Sequence, residues 1–217
     1  LLDWLSEDHF VFLGTGEVDA TGKRVGDVLG LARAESDLAG ACSTETRRFA
    51  TEARFADLIH IDKSPRQSRV HRRGKIDEIA VRTFDDAGRP KGTAIIQGLF
   101  TFRALQARGS VVPGLRRKLQ ALVELEDLTP GSFNYKSVVN AFNSLPIEYL
   151  FGADVPDIRE LIKDVLAAER SRRLEAHVSL GVGQRSAFVF VVMPRQGYTD
   201  ALRQKIREHL HVEFRAN

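Results

Sequence analysis

Ile76-Asp77-Glu78-Ile79-Ala80-Val81-Arg82-Thr83-Phe84 is followed by Asp85-Asp86-Ala87-Gly88-Arg89-Pro90 and then, after Lys91 and Gly92, by Thr93-Ala94-Ile95-Ile96-Gln97-Gly98-Leu99-Phe100-Thr101-Phe102. Two apolar runs flank a turn supplied with Asp, Gly and Pro, which is the pattern of a β-hairpin. Hairpin strands are antiparallel, and a sheet grown from them can bury one face while the other meets water.

Working outward, Leu58-Ile59-His60-Ile61 reads as a strand before the hairpin, and residues 33–55 as a loop or marginal helix. Further upstream, His9 to Leu13 is a short apolar run closed by Gly14 and Gly16. A turn at Asp19-Ala20-Thr21-Gly22 leads from it into Val25 to Leu31. Downstream the period changes from two to 3.6. Leu115, Leu119, Leu122 and Val123 form one amphipathic stripe after Pro113. Val138, Val139, Phe142 and Leu145 form a second, stopped by Pro146. Ile158, Leu161, Ile162, Val165 and Leu166 form a third, with Asp154 and Pro156 as start signals. A second hairpin spans Leu174 to Leu180 and Ala187 to Met193. Its second strand is apolar on both faces and is expected at the centre of a sheet. Thr199 is placed to cap a last helix through Leu202, Ile206 and Leu210, and His211 to Arg215 reads as a further strand. The fold class is therefore α+β: antiparallel β-sheets with helices on one face, joined by a helical segment, with a boundary near Ser171.

With 217 residues, the chain has room for one large domain or two small ones. Its 32 Lys and Arg stand against 29 Asp and Glu, so no general attraction to nucleic acid is expected. One cysteine, Cys42, excludes an intramolecular disulfide and suits a cytoplasmic protein. The longest apolar run, Ala187 to Met193, falls far short of the roughly 20 residues of a membrane-spanning helix. The first residues, Leu1-Leu2-Asp3-Trp4-Leu5, begin without Met and read as part of a longer polypeptide.

The densest charge is Arg66-Gln67-Ser68-Arg69-Val70-His71-Arg72-Arg73-Gly74-Lys75. Guanidinium forks suit a carboxylate or phosphate, while a solvated edge strand or loop explains the same run without a ligand. No aromatic residue interleaves these cations, which argues against stacked nucleic-acid bases. Arg116-Arg117-Lys118 at a helix start carries the same two readings. Gly14-Thr15-Gly16 and Gly181-Val182-Gly183 lack the third glycine, following helix and distant acid of a dinucleotide fingerprint, and read as turn glycines. His209 and His211, two apart, do not share a helix face for a metal. His60 reads as a core or interface imidazole. Ser68 with His71 has no nucleophile elbow or orienting acid. No residue here reads as catalytic.

Several stretches resemble the N-terminal region of the large bacterial NAD-specific glutamate dehydrogenases. They are Trp4-Leu5-Ser6-Glu7-Asp8-His9-Phe10-Val11-Phe12-Leu13-Gly14, Lys63-Ser64 with Ser68-Arg69-Val70-His71-Arg72, Gly98-Leu99-Phe100-Thr101 and Leu115-Arg116-Arg117-Lys118. Pro130-Gly131-Ser132, Lys136, Pro146 and Leu150-Phe151 continue the likeness, as do Met193-Pro194-Arg195, Tyr198, Leu202-Arg203 and Ile206. These blocks occur in order from one end of the chain to the other.

The resemblance implies ACT-like (ferredoxin-like) modules: residues 1–110 an ACT-like β-rich module, 111–170 a helical connection, and 171–217 the start of a further module. It implies a parent enzyme that converts L-glutamate, NAD and water to 2-oxoglutarate, ammonium and NADH, with the catalytic core and NAD site elsewhere in the polypeptide. The expected role of this piece is regulatory or structural, through a homo-oligomer or an amino-acid effector. Its cofactor is expected to be none. The candidate effector contacts are Ser68, Arg69, His71 and Arg72. The alternative is a free-standing amino-acid-binding module acting on partner proteins.

Overall fold

The computed structural model describes residues 1–52, 58–172, 174–180 and 187–214. Its strands are β1 (Phe10–Asp19), β2 (Arg24–Gly30), β3 (Ile59–Ser68), β4 (Gly74–Phe84), β5 (Pro90–Phe100), β6 (Glu175–Leu180) and β7 (Ala187–Val192). The helices are α1 (Leu2–Ser6), α2 (Thr44–Thr51), α3 (Phe102–Leu105), α4 (Leu115–Leu125), α5 (Phe133–Ser144), α6 (Ile147–Gly152), α7 (Val155–Ser171) and α8 (Asp200–Phe214). The first five strands form one antiparallel sheet in the order β2-β1-β5-β4-β3, and β6 pairs with β7 in a separate hairpin. The α+β class read from the sequence is the class observed.

The β4–β5 hairpin is the centre of the large sheet. Asp85 Oδ1 accepts from the Ala87 and Arg89 amides, both at 2.9 Å, and this sets the turn. From there the pairing runs through Ile79–Ile96 and Asp77–Gly98. β5 then takes β1 on its other edge, where Gly98 is indispensable. A Cβ there would lie 2.2 Å from the Val11 carbonyl oxygen and 2.3 Å from the Phe10 ring. The element order of this sheet unit, β-β-α-β-β-β, departs from the βαββαβ order of an ACT-like module.

Both faces of the sheet are covered, which corrects the expectation of helices on one face. On one side lie α2 and the segment Leu31–Ser43, whose Ala32, Leu38, Ala39, Cys42 and Ala50 close over Val18 and Ile95. On the other lie α4 to α7, where Leu115, Leu119, Leu122, Phe142, Leu150, Ile158 and Leu161 pack with Ile79 and Phe100. The physical reason lies in β4: its neighbours Asp77 and Glu78, 1% and 0% exposed, point to opposite faces, and each finds partners there. Adjacent acids that look like a solvated edge are both interior.

The marginal region 33–55 contains α2. Ser43 Oγ accepts from the Thr46 amide at 3.0 Å as its N-cap, and Phe49, 1% exposed, anchors it. α7 starts as expected, with Asp154 Oδ1 taking the Asp157 amide at 3.0 Å. Thr199 caps α8 through the Leu202 amide at 3.1 Å. Two expectations fail at the C-terminal end. α8 runs through His211 to Phe214, where a strand was read; no Gly or Pro breaks the Leu210-His211-Val212 run. Among the described residues β7 pairs with β6 alone and is not central. Its apolar inner residues are instead spent on helices, Phe188 and Phe190 packing on Tyr149 of α6. The turn glycines Gly181 and Gly183 lie outside the described residues.

Candidate functional site

The basic run divides among three elements. Arg66 to Ser68 end β3, an edge strand; residues 69–73 form a turn; Gly74 and Lys75 begin β4. Ser68 is 2% exposed and its hydroxyl is used locally, donating to the Val70 carbonyl at 2.7 Å and accepting the Val70 amide at 3.1 Å. Arg72 reaches back to the end of β5, donating to the Phe100 carbonyl at 2.9 Å. His71 turns the chain with φ +67°. Arg69 and His71 are exposed. The four candidate residues therefore lie at one strand end and the turn that follows it, but do not share one purpose: Ser68 and Arg72 hold the turn, and Arg69 and His71 face outward.

Arg66 is different. Its guanidinium Nη1 pairs with Glu35 of the covering segment, which draws it toward the face that α2 shields. The interior of that face is polar. Glu78 Oε2 accepts the Ser43 amide at 2.9 Å, tying the α2 N-cap residue to β4. Gln97 lies opposite Glu78 in the β4–β5 register, and its Nε2 approaches Cys42 Sγ at 3.9 Å. Burial lifts the Cys42 thiol far above its ordinary range, so it is an unreactive buried group that donates to the Leu38 carbonyl at 3.2 Å.

Burial also raises the Glu78 carboxyl, against the Ser43 amide and the hydroxyls of Ser64 and Thr46, which pull it down. The folded chain thus holds the Glu78 proton more tightly than the unfolded chain. Between the two titrations stability falls as pH rises, by at most about 1.4 kcal/mol per pH unit, and above the folded pKa it levels off. Glu78→Gln removes this slope. Urea denaturation of both proteins across a pH series above the ordinary glutamate range should show the variant gaining on the parent; parallel profiles would contradict the assignment.

On the opposite face, Lys63 Nζ lies 2.5 Å from Asp77 Oδ1 and 2.7 Å from Glu148 Oε1 of α6, while Asp77 Oδ2 accepts the Phe100 amide at 2.9 Å. Burial raises Asp77, with Lys63 and the Phe100 amide drawing it back. Burial works against the Lys63 ammonium, and Asp77 and Glu148 outweigh it, holding Lys63 above its ordinary value. Two donors at these distances make Asp77 a carboxylate, and we take the pair as charged. The group joins β3, β4, β5 and α6.

Lys118, for which the sequence leaves anion contact and solvation both open, has a structural task. Its Nζ donates to the Leu150, Phe151 and Ala153 carbonyls at 2.8, 3.0 and 2.6 Å, closing the C-terminal end of α6. Its chain neighbours Arg116 and Arg117 are exposed. His60 stacks on Phe49 at 5.5 Å, as an interface imidazole would.

Gly14 and Gly16 are not turn glycines. They lie inside β1, where a Cβ on Gly14 would meet the Ala32 amide nitrogen at 2.8 Å and one on Gly16 the Leu38 and Val28 methyls at 2.7 Å. They let residues 28–38 lie against the strand. A pyrophosphate needs backbone amides at an open helix N-terminus, so this stretch does not fit a dinucleotide.

Fold and interior together define an α+β unit in which an antiparallel sheet and a helical layer are fastened by an ion-pair group centred on buried Asp77. Residues 112–171, which contain α4 to α7, match the family model described as glutamate dehydrogenase, helical motif 1. The chain is 25% identical over 227 aligned positions to the NAD-specific glutamate dehydrogenase of Halomonas elongata, covering 99% of this chain and 14% of that protein. It is 24% identical over 228 positions to the NAD-specific glutamate dehydrogenase of Pseudomonas aeruginosa, covering 100% of this chain and 14% of that protein. The chain thus resembles the NAD-specific glutamate dehydrogenases along its whole length, and spans about one-seventh of theirs. No described helix is long and apolar enough to cross a membrane.

Proposed function

We propose that this chain is a non-catalytic, N-terminal regulatory or structural segment of a large NAD-dependent glutamate dehydrogenase. The observation that carries the reading is the coverage: nearly all of this chain aligns with 14% of each relative. In this reading the parent polypeptide oxidises L-glutamate with NAD to 2-oxoglutarate, ammonium and NADH. The NAD site and the hydride-transfer residues belong to other parts of that polypeptide. Cytoplasmic location and a homo-oligomeric parent are part of the same proposal.

The proposed division is 1–110, 111–170 and 171–217, the first and last being ACT-like in kinship. Support for that kinship is the ordered likeness of the sequence blocks; in this reading the first unit, whose order is β-β-α-β-β-β, is a rearranged example. Amino-acid sensing is proposed with it. At the turn after β3, exposed Arg69 would meet an effector carboxylate, with His71 beside it.

Two assays test the reading. The purified chain, given glutamate and NAD, is expected to form no NADH; steady NADH production would overturn the non-catalytic assignment. The Halomonas elongata enzyme with its matching segment replaced by this chain is expected to keep glutamate oxidation. In that chimera, Arg69→Gln with Arg72→Gln should change the response to added amino acids. An unchanged response would remove the turn as the effector contact.

A further inference from the structure

Beneath the segment Leu31–Ser43 the sheet presents buried polar atoms that no described residue satisfies. Arg66 gives Nη1 to Glu35, while its Nε and Nη2 are buried without an acceptor. Those two nitrogens form the edge of a guanidinium that grips a carboxylate through parallel hydrogen bonds. Glu78 and Gln97, cross-strand partners and both 0% exposed, each have a buried Oε1 that no described residue reaches with a hydrogen bond, the hydroxyls of Ser64 and Thr46 acting on the Glu78 carboxyl without closing one to that oxygen. Cys42 lies among the three, 3.9 Å from Gln97 Nε2 and close enough to Glu78 and Arg66 for both charges to act on its thiol.

A buried polar atom left unpaired is costly, and folded proteins tolerate few. Four such atoms on three side chains of one face are a concentration that packing alone does not explain. Their chemistry is also ordered: one donor fork with positive charge, and two acceptors of which one is a carboxylate.

We propose that this cluster is the binding site of a small α-amino acid, its carboxylate on Arg66 Nε and Nη2 and its ammonium on the Oε1 atoms of Glu78 and Gln97. The proposal rests on the sensing reading above and gives the amino acid an interior site in addition to the turn. A zwitterion is the ligand that meets both halves at once without adding net charge to the interior. An anion alone leaves Glu78 uncompensated, and an amine alone leaves the Arg66 edge bare.

Size follows from the surroundings. Leu38, Cys42 and Ile95 crowd the same face, which favours the smallest side chains, those of glycine, alanine and serine. Asp62, which acts electrostatically on Glu78 from β3, disfavours an acidic side chain. The covering segment must lift to admit the ligand. Its fastenings are the Glu35–Arg66 pair, the Ser43 amide on Glu78 and the Leu38 packing. Entry therefore breaks the Arg66 pair on one nitrogen while filling the vacant edge beside it.

Calorimetric titration of the chain with glycine, alanine and serine tests the site, with acetate and methylamine as half-ligands. Saturable binding of at least one amino acid and of neither half-ligand is expected. Arg66→Gln and Glu78→Gln, each first shown to melt cooperatively, should each weaken it about tenfold or more. If a variant does not fold, hydrogen exchange of the parent chain replaces it, and the amino acid should alter protection across Leu31–Ser43. Binding that survives Arg66→Gln, or exchange unchanged in that segment, overturns the proposal. Binding lost instead in Arg69→Gln with Arg72→Gln keeps amino-acid sensing and moves it to the turn. Silence of the folded parent chain toward all three amino acids removes this site and leaves the larger assignment standing on its own assays.

Discussion

Asp77→Ala is expected to destabilise the chain by about 2–4 kcal/mol, and its effect should spread across both layers of the fold. The carboxylate is 1% exposed and does two things at once. It neutralises Lys63, and it accepts the Phe100 amide where β5 ends. Truncation orphans that amide, at about 1–3 kcal/mol. The loss of the ion pair adds less than a fully buried pair would, because the Lys63 side chain is 36% exposed and keeps Glu148. Asp77→Asn separates the two contributions: it keeps an acceptor for Phe100 and loses the charge, so it should fall between the parent and Asp77→Ala. The double variant Lys63→Met, Asp77→Leu should recover part of the deficit, since neither side of the buried contact is left charged, and Glu148, 33% exposed, can turn to water when it loses Lys63. Urea denaturation of these proteins, with the singles Lys63→Met and Asp77→Leu beside them, measures this. A double variant as unstable as the sum of Lys63→Met and Asp77→Leu would show that the Lys63–Asp77 contact contributes nothing.

That pair also marks how far the sequence could be read. The hairpin was legible because both of its determinants are local: apolar runs of strand length and an Asp85 turn whose bonds span at most four residues. The same holds for α4, α5 and α7, whose stripes repeat at 3.6 residues, and for the Asp154 and Thr199 caps. What escaped was non-local. Nothing within a few residues of Asp77 announces Lys63 and Glu148 as partners, and Asp77-Glu78 in a strand resembles a solvated pair. Cys42 looked like part of a polar loop because the Ser43 cap and Phe49, which bury it under α2, are single residues without a repeating period. Lys118 looked solvent-facing because its three carbonyl partners lie a helix away, at the end of α6.

The candidate site divides in the same way. Charge density singled out Arg66 to Lys75, of which the turn Arg69 to Arg73 is exposed while Ser68 is buried. Density did not separate Arg69, which faces water, from Arg66, which is drawn inward by Glu35. Only the fold brings Glu35, Glu78 and Gln97, from three distant parts of the chain, onto one face. Glycine spacing misled for a related reason: Gly14 and Gly16 answer to the close approach of residues 28–38, which a one-dimensional pattern does not contain.

Tyr149→Ala should cost about 3–5 kcal/mol, the range for emptying a large aromatic site in a core. Its particular consequence should be release of the C-terminal hairpin. Tyr149 is 2% exposed on α6, with the rings of Phe188 and Phe190 edge-on at 5.4 and 4.9 Å. Two strands alone are marginal in water and need a surface to pack on. Here that surface is Tyr149 together with α7, where Asp164 meets His177 Nδ1 at 2.9 Å on the exposed rim. An exposed contact of that kind contributes little, so the aromatic cluster carries the attachment. Tyr149→Phe provides the control. The Ser179 hydroxyl acts on the phenol, but among the described residues no hydrogen bond of ordinary geometry reaches the phenolic oxygen, so Tyr149→Phe should stay within about 1 kcal/mol of the parent. Hydrogen exchange distinguishes loosening from general unfolding. In Tyr149→Ala the amides of β6 and β7 should exchange much faster while those of β4 and β5 keep their protection. Uniform acceleration across all strands would mean that the hairpin is an integral part of the main cooperative unit, and that Tyr149 supports the whole core rather than the join.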